Sequence, residues 1–254
     1  MLKITILGSG TATPDLHRNA SGLIIQTGAT TMSVDMGPGI LRRMCEASID
    51  PKSIDIILLT HFHADHVSDV APFLFASNYA YGPMRIDPFR LVGPRGLEQF
   101  FAALVLAYGH WIVPSNDRLI RHELDADGED EISVSDIVIR SIPAAHTHPS
   151  LSYRLEHEGM SVTISGDTDV SENLVKLASD TDLFICECSL PGRLKTPGHL
   201  VPAEAGTMAR RANAKKLVLT HFYPPCDETD VVQEAAAEFT GEIVRAHDHL
   251  VLEV

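Results

Sequence analysis

Apolar and polar positions fall into short runs along most of the chain, separated by Gly, Pro, Asp and Asn. Residues 2–7, 22–27, 31–35 and 55–60 alternate or run apolar between turn signals and read as strands. Helical spacing follows at 38–47, 66–80 and 95–108. Strand patterns resume at 137–142, 150–156, 161–165, 183–187, 216–220 and 249–253, with helices at 171–179, 202–213 and 228–239. The 202–213 helix opens on Pro202, a permitted first-turn position, and carries Arg210 and Arg211 late, where cations suit the dipole. Strands alternating with helices indicate an α/β protein. No Gly-, Ser- or Pro-rich linker divides the chain, so residues 1–254 are expected to form a single domain.

The middle, residues 83–136, is the least legible. It contains Pro83, Pro88, Pro94 and Pro114 and the acidic run DADGEDE at 125–131, which reads as a solvated turn between strands. Whether 83–136 closes over a pocket is left open by the pattern. One internal echo stands out: IILLTHF (56–62) and KLVLTHF (216–222) both run an apolar strand into Thr-His-Phe. Two such strands suggest related halves whose sheets face each other and pool residues at their strand ends.

Composition narrows the picture. Of 254 residues, 44% are hydrophobic, enough for a large core, and nothing approaches a membrane span. MLKITILGSG is too short an apolar stretch for a signal peptide. Four cysteines (Cys45, Cys186, Cys188, Cys226) fit reduced thiols in a cytoplasmic protein better than a disulfide framework. The net charge of −14 opposes long-range capture of a polyanion, which counts against long RNA or DNA as partner.

The candidate chemistry lies in the 13 histidines. The run 55–60 ends in H-F-H-A-D-H. On extended backbone His61 and His63 project to one side and can share a metal ion, while Asp65 and His66, where the chain turns, can reach a second ion nearby. Imidazole and carboxylate suit Zn, Fe or Mn without a thiolate. His146 follows the strand 137–143, Asp167 ends MSVTISGD (160–167) beside Gly166, and His221 ends LVLTH. Polar residues set directly after buried strands are hard to explain by packing, and strand C-terminal ends are where α/β proteins build sites.

Other features carry less. Gly8-Ser9-Gly10 reads as a tight turn beside the site, since no third glycine follows. Cys186 and Cys188 alternate with Glu187 and should be buried on the opposite side. His148 either lines the site or sits in a surface turn. His247 and His249 read as exposed or hydrogen-bonded, and His17, His110, His122 and His157 as structural or surface. Tyr79, Tyr81, Tyr108 and Trp111 read as core packing rather than a substrate wall or an oligomer contact.

The H-x-H-x-D-H motif followed by His146, Asp167 and His221 resembles the metallo-β-lactamase superfamily over residues 1 to about 223. The resemblance implies an αββα four-layer sandwich with two divalent ions, zinc favoured and Mn or Fe as alternatives. It implies His61, His63 and His146 on one ion, Asp65, His66 and His221 on the other, and Asp167 bridging. LGSGTATPDLHRNASG (7–22), LFICECSLP (183–191) and GHLVPAEAGTMARRANAKKLVLTH (198–221) resemble the ribonuclease Z-like phosphodiesterase branch. That likeness implies catalytic roles for Asp65, Glu187 and His199.

Two departures stand against it. VDMGPG (34–39) carries Met36 and Pro38 where the branch usually has an acidic residue. Residues 147–166, where ribonuclease Z commonly carries a tRNA-gripping arm, are filled by two strands. The expected function is therefore a metal-dependent phosphodiesterase acting on a small or single-stranded diester. The alternatives are a lactone, ester or thioester hydrolase, a tRNA 3′-end endonuclease, a diiron protein and a non-catalytic metal-bound scaffold. A homodimer is the oligomeric state kept open.

Overall fold

The computed structural model describes residues 1–79, 87–115 and 117–254. The chain begins with β1 (Lys3–Gly8), β2 (Gly22–Gln26) and β3 (Thr31–Val34), then α1 (Ile40–Glu46) and β4 (Ile56–Leu58). Next come α2 (Ala64–Val67), α3 (Val70–Tyr79), β5 (Phe89–Pro94), α4 (Leu97–Tyr108) and β6 (Leu119–Leu124). The second half runs β7 (Asp130–Val134), β8 (Ile137–Pro143), β9 (Leu151–His157), β10 (Met160–Ile164), α5 (Glu172–Leu177) and β11 (Leu183–Glu187). It ends with α6 (Pro202–Arg211), β12 (Lys216–Thr220), α7 (Val231–Ala236), β13 (Glu242–Arg245) and β14 (Val251–Glu253).

These strands form two sheets of seven, ordered β14-β1-β2-β3-β4-β5-β6 and β13-β12-β11-β10-β9-β8-β7. In each, a set of antiparallel strands gives way to four parallel ones, β3 to β6 and β10 to β13. The C-terminal ends of the parallel strands carry the metal-binding candidates except His146, which follows antiparallel β8. Ile56 and Leu58 of β4 pack between the sheets with Tyr153, Ile185 and Val218. Ile57 and Leu59 pack on the other side, against Met44, Phe73 and Phe101 of the helices. A strand buried on both faces must be apolar at every position, which explains the unbroken run before His61. The order is helices, sheet, sheet, helices: the αββα sandwich.

Several local expectations need correction. The helix expected over 66–80 is two, α2 and α3. Pro72 lacks the N–H that a continuous helix would need at that point, and Asp69 N–H turns instead to Met36 O (2.8 Å). Residue 80, Tyr81 and Pro83 lie outside the described residues. Strands β5, β6, β7 and β13 were not expected. β6 and β7 are edge strands with few fully buried side chains, so they lack the apolar signal of a central strand. The acidic run divides: residues 125–129 form a turn between the sheets, while Asp130 and Glu131 open β7. Tyr79, Tyr108 and Trp111 are each about half exposed, not core. Cys186 and Cys188 are fully buried, as alternation required, and all four cysteines are free. No helix among the described residues is long and apolar enough to cross a membrane.

Candidate metal centre

Beyond β4 the chain bends at Thr60, is extended at His63 and enters α2 at Ala64, with His66 N–H donating to His63 O (3.0 Å). This turn swings Asp65 and His66 toward the side that His61 already faces. β9 stitches the second sheet onto the same stretch: buried Tyr153 donates its hydroxyl to Leu59 O (2.6 Å), and Leu151 N–H donates to Thr60 O (2.9 Å). Gly166 sits here with φ 58, and a Cβ on it would lie 3.0 Å from Thr60 Cβ. The approach of the two strand ends thus requires glycine.

The sequence-selected residues converge. Side-chain donors of His61, His63, His146 and Asp167 lie within 4.8 Å of one another, as do those of Asp65, His66 and His221. Asp167 faces both groups. Its Oδ2 is 3.8 Å from His61 Nε2 and 3.9 Å from His146 Nε2, while Oδ1 is 3.3 Å from both His66 Nε2 and His221 Nε2. Asp65 Oδ2 is 3.7 Å from His66 Nε2 and from His221 Nε2. His63 Nδ1 and His146 Nε2 are 3.3 Å apart, close to the edge of a tetrahedron with bonds of about 2.05 Å.

The imidazoles are held from behind. His66 Nδ1–H donates to Asp35 (2.7 Å) and His146 Nδ1–H to Gly198 O (2.9 Å). Thr60 gives its hydroxyl proton to Asp35 and accepts from His61 Nδ1–H (3.0 Å). Ser189 gives its proton to Glu187 (2.6 Å) and accepts from His221 Nδ1–H (3.0 Å). The outcome is that Nε2 of His61, His66 and His221 is buried with no hydrogen-bond partner. Three orphaned imidazole nitrogens aimed at shared carboxylates are costly unless something binds them, and rear hydrogen bonds that fix the tautomer are the usual support of a metal-ligating histidine. The donor set fits two divalent ions.

Electrostatics agree at His61 and at the carboxylates of Asp65 and Asp167. Burial, reinforced by neighbouring His66, drives the His61 pKa down to about 2, so the ring is neutral and able to ligate. Burial opposes the Asp65 carboxylate, but the neighbouring imidazoles of His221 and His66 prevail, holding its pKa at about 2. Asp167 is likewise kept ionised against its burial by His221, His66 and His61. Asp35 (φ 58) and His221 (φ 62) both adopt left-handed backbone, which costs about 1–2 kcal/mol for a non-glycine residue and marks a constrained site.

Glu187 and His199 meet beside this cluster. Buried Glu187 accepts from Thr168 N–H (2.6 Å), Ser189 Oγ (2.6 Å), Leu200 N–H (3.1 Å) and His199 Nδ1–H (3.0 Å). A ring nitrogen of His199 lies within 4.8 Å of donors from Asp167 and His221. Burial opposes the imidazolium, but Glu187 outweighs it and raises the His199 pKa. Lys195 pins the loop, donating to Asp169 (2.6 Å) and His199 O (2.7 Å), while Asp169 accepts from Gly198 N–H (3.0 Å).

Asp35, Thr60 and Ser189 were not singled out from the sequence. Asp35 ends β3 as the other selected residues end their strands, so the same rule finds it; Thr60 and Ser189 look like any short polar residue. His148 is exposed and contacts Asp127 (3.1 Å). His247 bonds Asp248 O and His249 lies near Glu46; neither joins the clusters. Ser9 N–H and Oγ both bond Asp248, so Gly8-Ser9-Gly10 is a hydrogen-bonded turn.

Comparison with known proteins places this arrangement. Residues 30–222 match the family model described as a beta-lactamase superfamily domain. Ribonuclease Z from Mycobacterium bovis (strain BCG / Pasteur 1173P2) is 30% identical over 277 residues, covering 98% of this chain and 96% of that protein. The metallo-beta-lactamase fold protein YhfI from Bacillus subtilis superposes with a TM-score of 0.84 at 22% identity, over 100% of this chain and 99% of its own. The short form of human tRNase Z superposes with a TM-score of 0.80 at 24% identity, over 99% of both chains. With its αββα layers and its histidines and aspartates gathered at the strand ends, the chain belongs to the metallo-β-lactamase superfamily and is related to ribonuclease Z.

Proposed function

We propose that the protein is a dinuclear metal-dependent phosphodiesterase acting on a small or single-stranded diester. His61, His63 and His146 are assigned to one ion and Asp65, His66 and His221 to the other, with Asp167 between them; zinc is the favoured metal. Two divalent ions held there would act as Lewis acids, acidifying a shared water and drawing charge from the phosphoryl oxygens. Asp65, held ionised, is suited to accept the proton of the attacking water.

The observation that carries the reading is the Glu187–His199 pair. Glu187 occupies His199 Nδ1–H at 3.0 Å and favours the protonated ring, leaving Nε2–H to protonate the departing alkoxide. Phosphodiester cleavage releases a strongly basic alkoxide and benefits from such a donor. The relative named ribonuclease Z supports the same bond class. The net charge of −14 and the short β9–β10 hairpin between His146 and Asp167 favour a small substrate over folded tRNA.

The test is turnover of bis(4-nitrophenyl) phosphate by protein reloaded with Zn or Mn, beside a lactone and 4-nitrophenyl phosphate. Metal-dependent cleavage of the diester alone is expected; lactone cleavage with an inert diester overturns the reading. His199→Ala and Glu187→Gln should lower kcat about 10²–10⁴-fold on a diester with an alkoxide leaving group. The loss should be smaller with nitrophenolate, which leaves without a proton, and metal content should be unchanged.

A further inference from the structure

Lys195 lies in the loop between β11 and α6, four residues before His199. An ammonium has three N–H donors, and each of those on Lys195 finds an acceptor on a different segment. They are Asp169 Oδ1 in the loop after β10 (2.6 Å), the backbone carbonyl of His199 (2.7 Å) and Glu204 Oε2 in the first turn of α6 (2.5 Å). Partial burial opposes the charge, but hydrogen bonds from Asp169 and Glu204 outweigh it and raise the Lys195 pKa.

Each acceptor is itself tied to the loops around the cluster. Asp169 lies two residues past Asp167; its backbone N–H donates to Ala145 O (2.8 Å), beside His146, and its Oδ2 accepts from Gly198 N–H (3.0 Å). Gly198 O takes the Nδ1–H of His146 (2.9 Å). Glu204 Oε2 also accepts from Val201 N–H (3.1 Å), which fixes the far end of the His199 segment. His199 is therefore held twice, at its ring by Glu187 (3.0 Å) and at its carbonyl by Lys195. Glu187 fixes one atom of the ring; where Nε2 points depends also on where the backbone sits, and the carbonyl anchor sets that.

We infer that Lys195 is a positioning residue for the general acid: it sets the backbone of His199, and with it the aim of Nε2, against the loops that carry His146 and Asp167. The inference rests on the phosphodiesterase reading and extends it to a side chain outside the ligand set. An ion pair that only stabilises the fold would affect every substrate alike. A residue that aims the acid matters most where the leaving group needs a proton.

Two diesters offered to the metal-reloaded full chain separate these cases: bis(4-nitrophenyl) phosphate, whose leaving group departs without a proton, and the dinucleotide thymidylyl-thymidine, whose alkoxide needs one. Lys195→Met should lower kcat on the dinucleotide about 10- to 100-fold, the scale of a misplacement of about 1 Å. KM and bound metal should be unchanged, and the loss on the nitrophenyl ester much smaller. Asp169→Asn, which weakens one of the three contacts, should show the same discrimination in smaller measure. In a His199→Ala background Lys195→Met should cost nothing further, since a residue acting through another is non-additive with it. Arg193→Met removes a cation of the same loop that pairs with Glu228 (3.3 Å) and should leave both rates unchanged.

Equal losses on the two diesters, or an undiminished further loss in the His199→Ala background, overturn the inference and leave the phosphodiesterase reading standing. If wild type cleaves neither diester, that reading fails instead. Whenever the dinucleotide is inert, NMR of the zinc-loaded protein decides. The Nδ1–H of His199, held against Glu187, should give a low-field proton resonance that disappears in His199→Ala and in Lys195→Met but persists in Arg193→Met. The corresponding proton of His66, held by Asp35 (2.7 Å), should persist in all three and shows that they are folded. A His199 resonance unchanged by Lys195→Met, or none in wild type, overturns the inference.

Discussion

Asp35 shows how much of a metal centre can lie behind its ligands. It contacts none of the other acidic groups of the cluster, yet its carboxylate takes the Nδ1–H of His66 and the backbone N–H and hydroxyl of Thr60. Through Thr60 it also fixes the tautomer of His61. Asp35→Ala should therefore lower metal affinity about 10–100-fold, read by competition with a chromophoric chelator, with Asp35→Asn falling between; unchanged affinity would remove Asp35 from this role. The candidate ligands were legible because a His or Asp directly after a buried strand is conspicuous. Their supports were not, because a Thr or Ser near a strand end has the same composition whether it orients an imidazole or caps a loop. Glu187 and His199 were reached only through family likeness, since nothing in their spacing announces that they meet.

At the scale of elements, legibility followed burial. β4 and β12 lie inside their sheets, and their apolar runs were plain in the sequence. β5 was obscured by Gly93 and Pro94 at its end, and β6 and β7 by the polar side chains of edge strands. Helix packing depended on a position that gave no signal. On α6, a Cβ at Gly206 would stand 2.4 Å from Ala235 O of α7, an overlap that neither backbone can relieve without moving. These two helices pack on each other outside the second sheet and contribute Ala205, Met208, Val231 and Ala235 to the core. Gly206→Ala has better helix propensity by about 1 kcal/mol, but overpacking of a tight contact costs about 1–3 kcal/mol. The expected result is a net loss of stability in urea unfolding; a gain would mean the helices separate freely.

At the scale of the whole molecule, the two halves repeat, but not where the Thr-His-Phe echo indicates. Aligning the first parallel strand of each sheet pairs β3 with β10 and therefore β4 with β11, so the echoed β12 is one strand out of register with β4. A better marker of the repeat lies at the opposite end of the sheets. Asp55 precedes β4 and accepts from Thr31 N–H of β3 (2.9 Å), while Asp182 precedes β11 and accepts from Ser161 N–H of β10 (2.8 Å).

Asp182 also takes the Ser161 hydroxyl and pairs with Lys215 ahead of β12 (2.6 Å), so it ties three parallel strands together. Partial burial opposes its charge, but Lys215 and Ser161 prevail and hold its pKa below the ordinary 3.8. A carboxyl more acidic in the folded than in the unfolded chain stabilises the fold above the ordinary value, and that contribution disappears as pH falls through the folded value. Asp182→Asn should therefore cost about 1 kcal/mol in urea unfolding at pH 7, and the gap from wild type should narrow as pH falls below the ordinary 3.8 and through the lower folded value. A gap that stays constant with pH would assign the effect to the shape of the side chain and not to its charge.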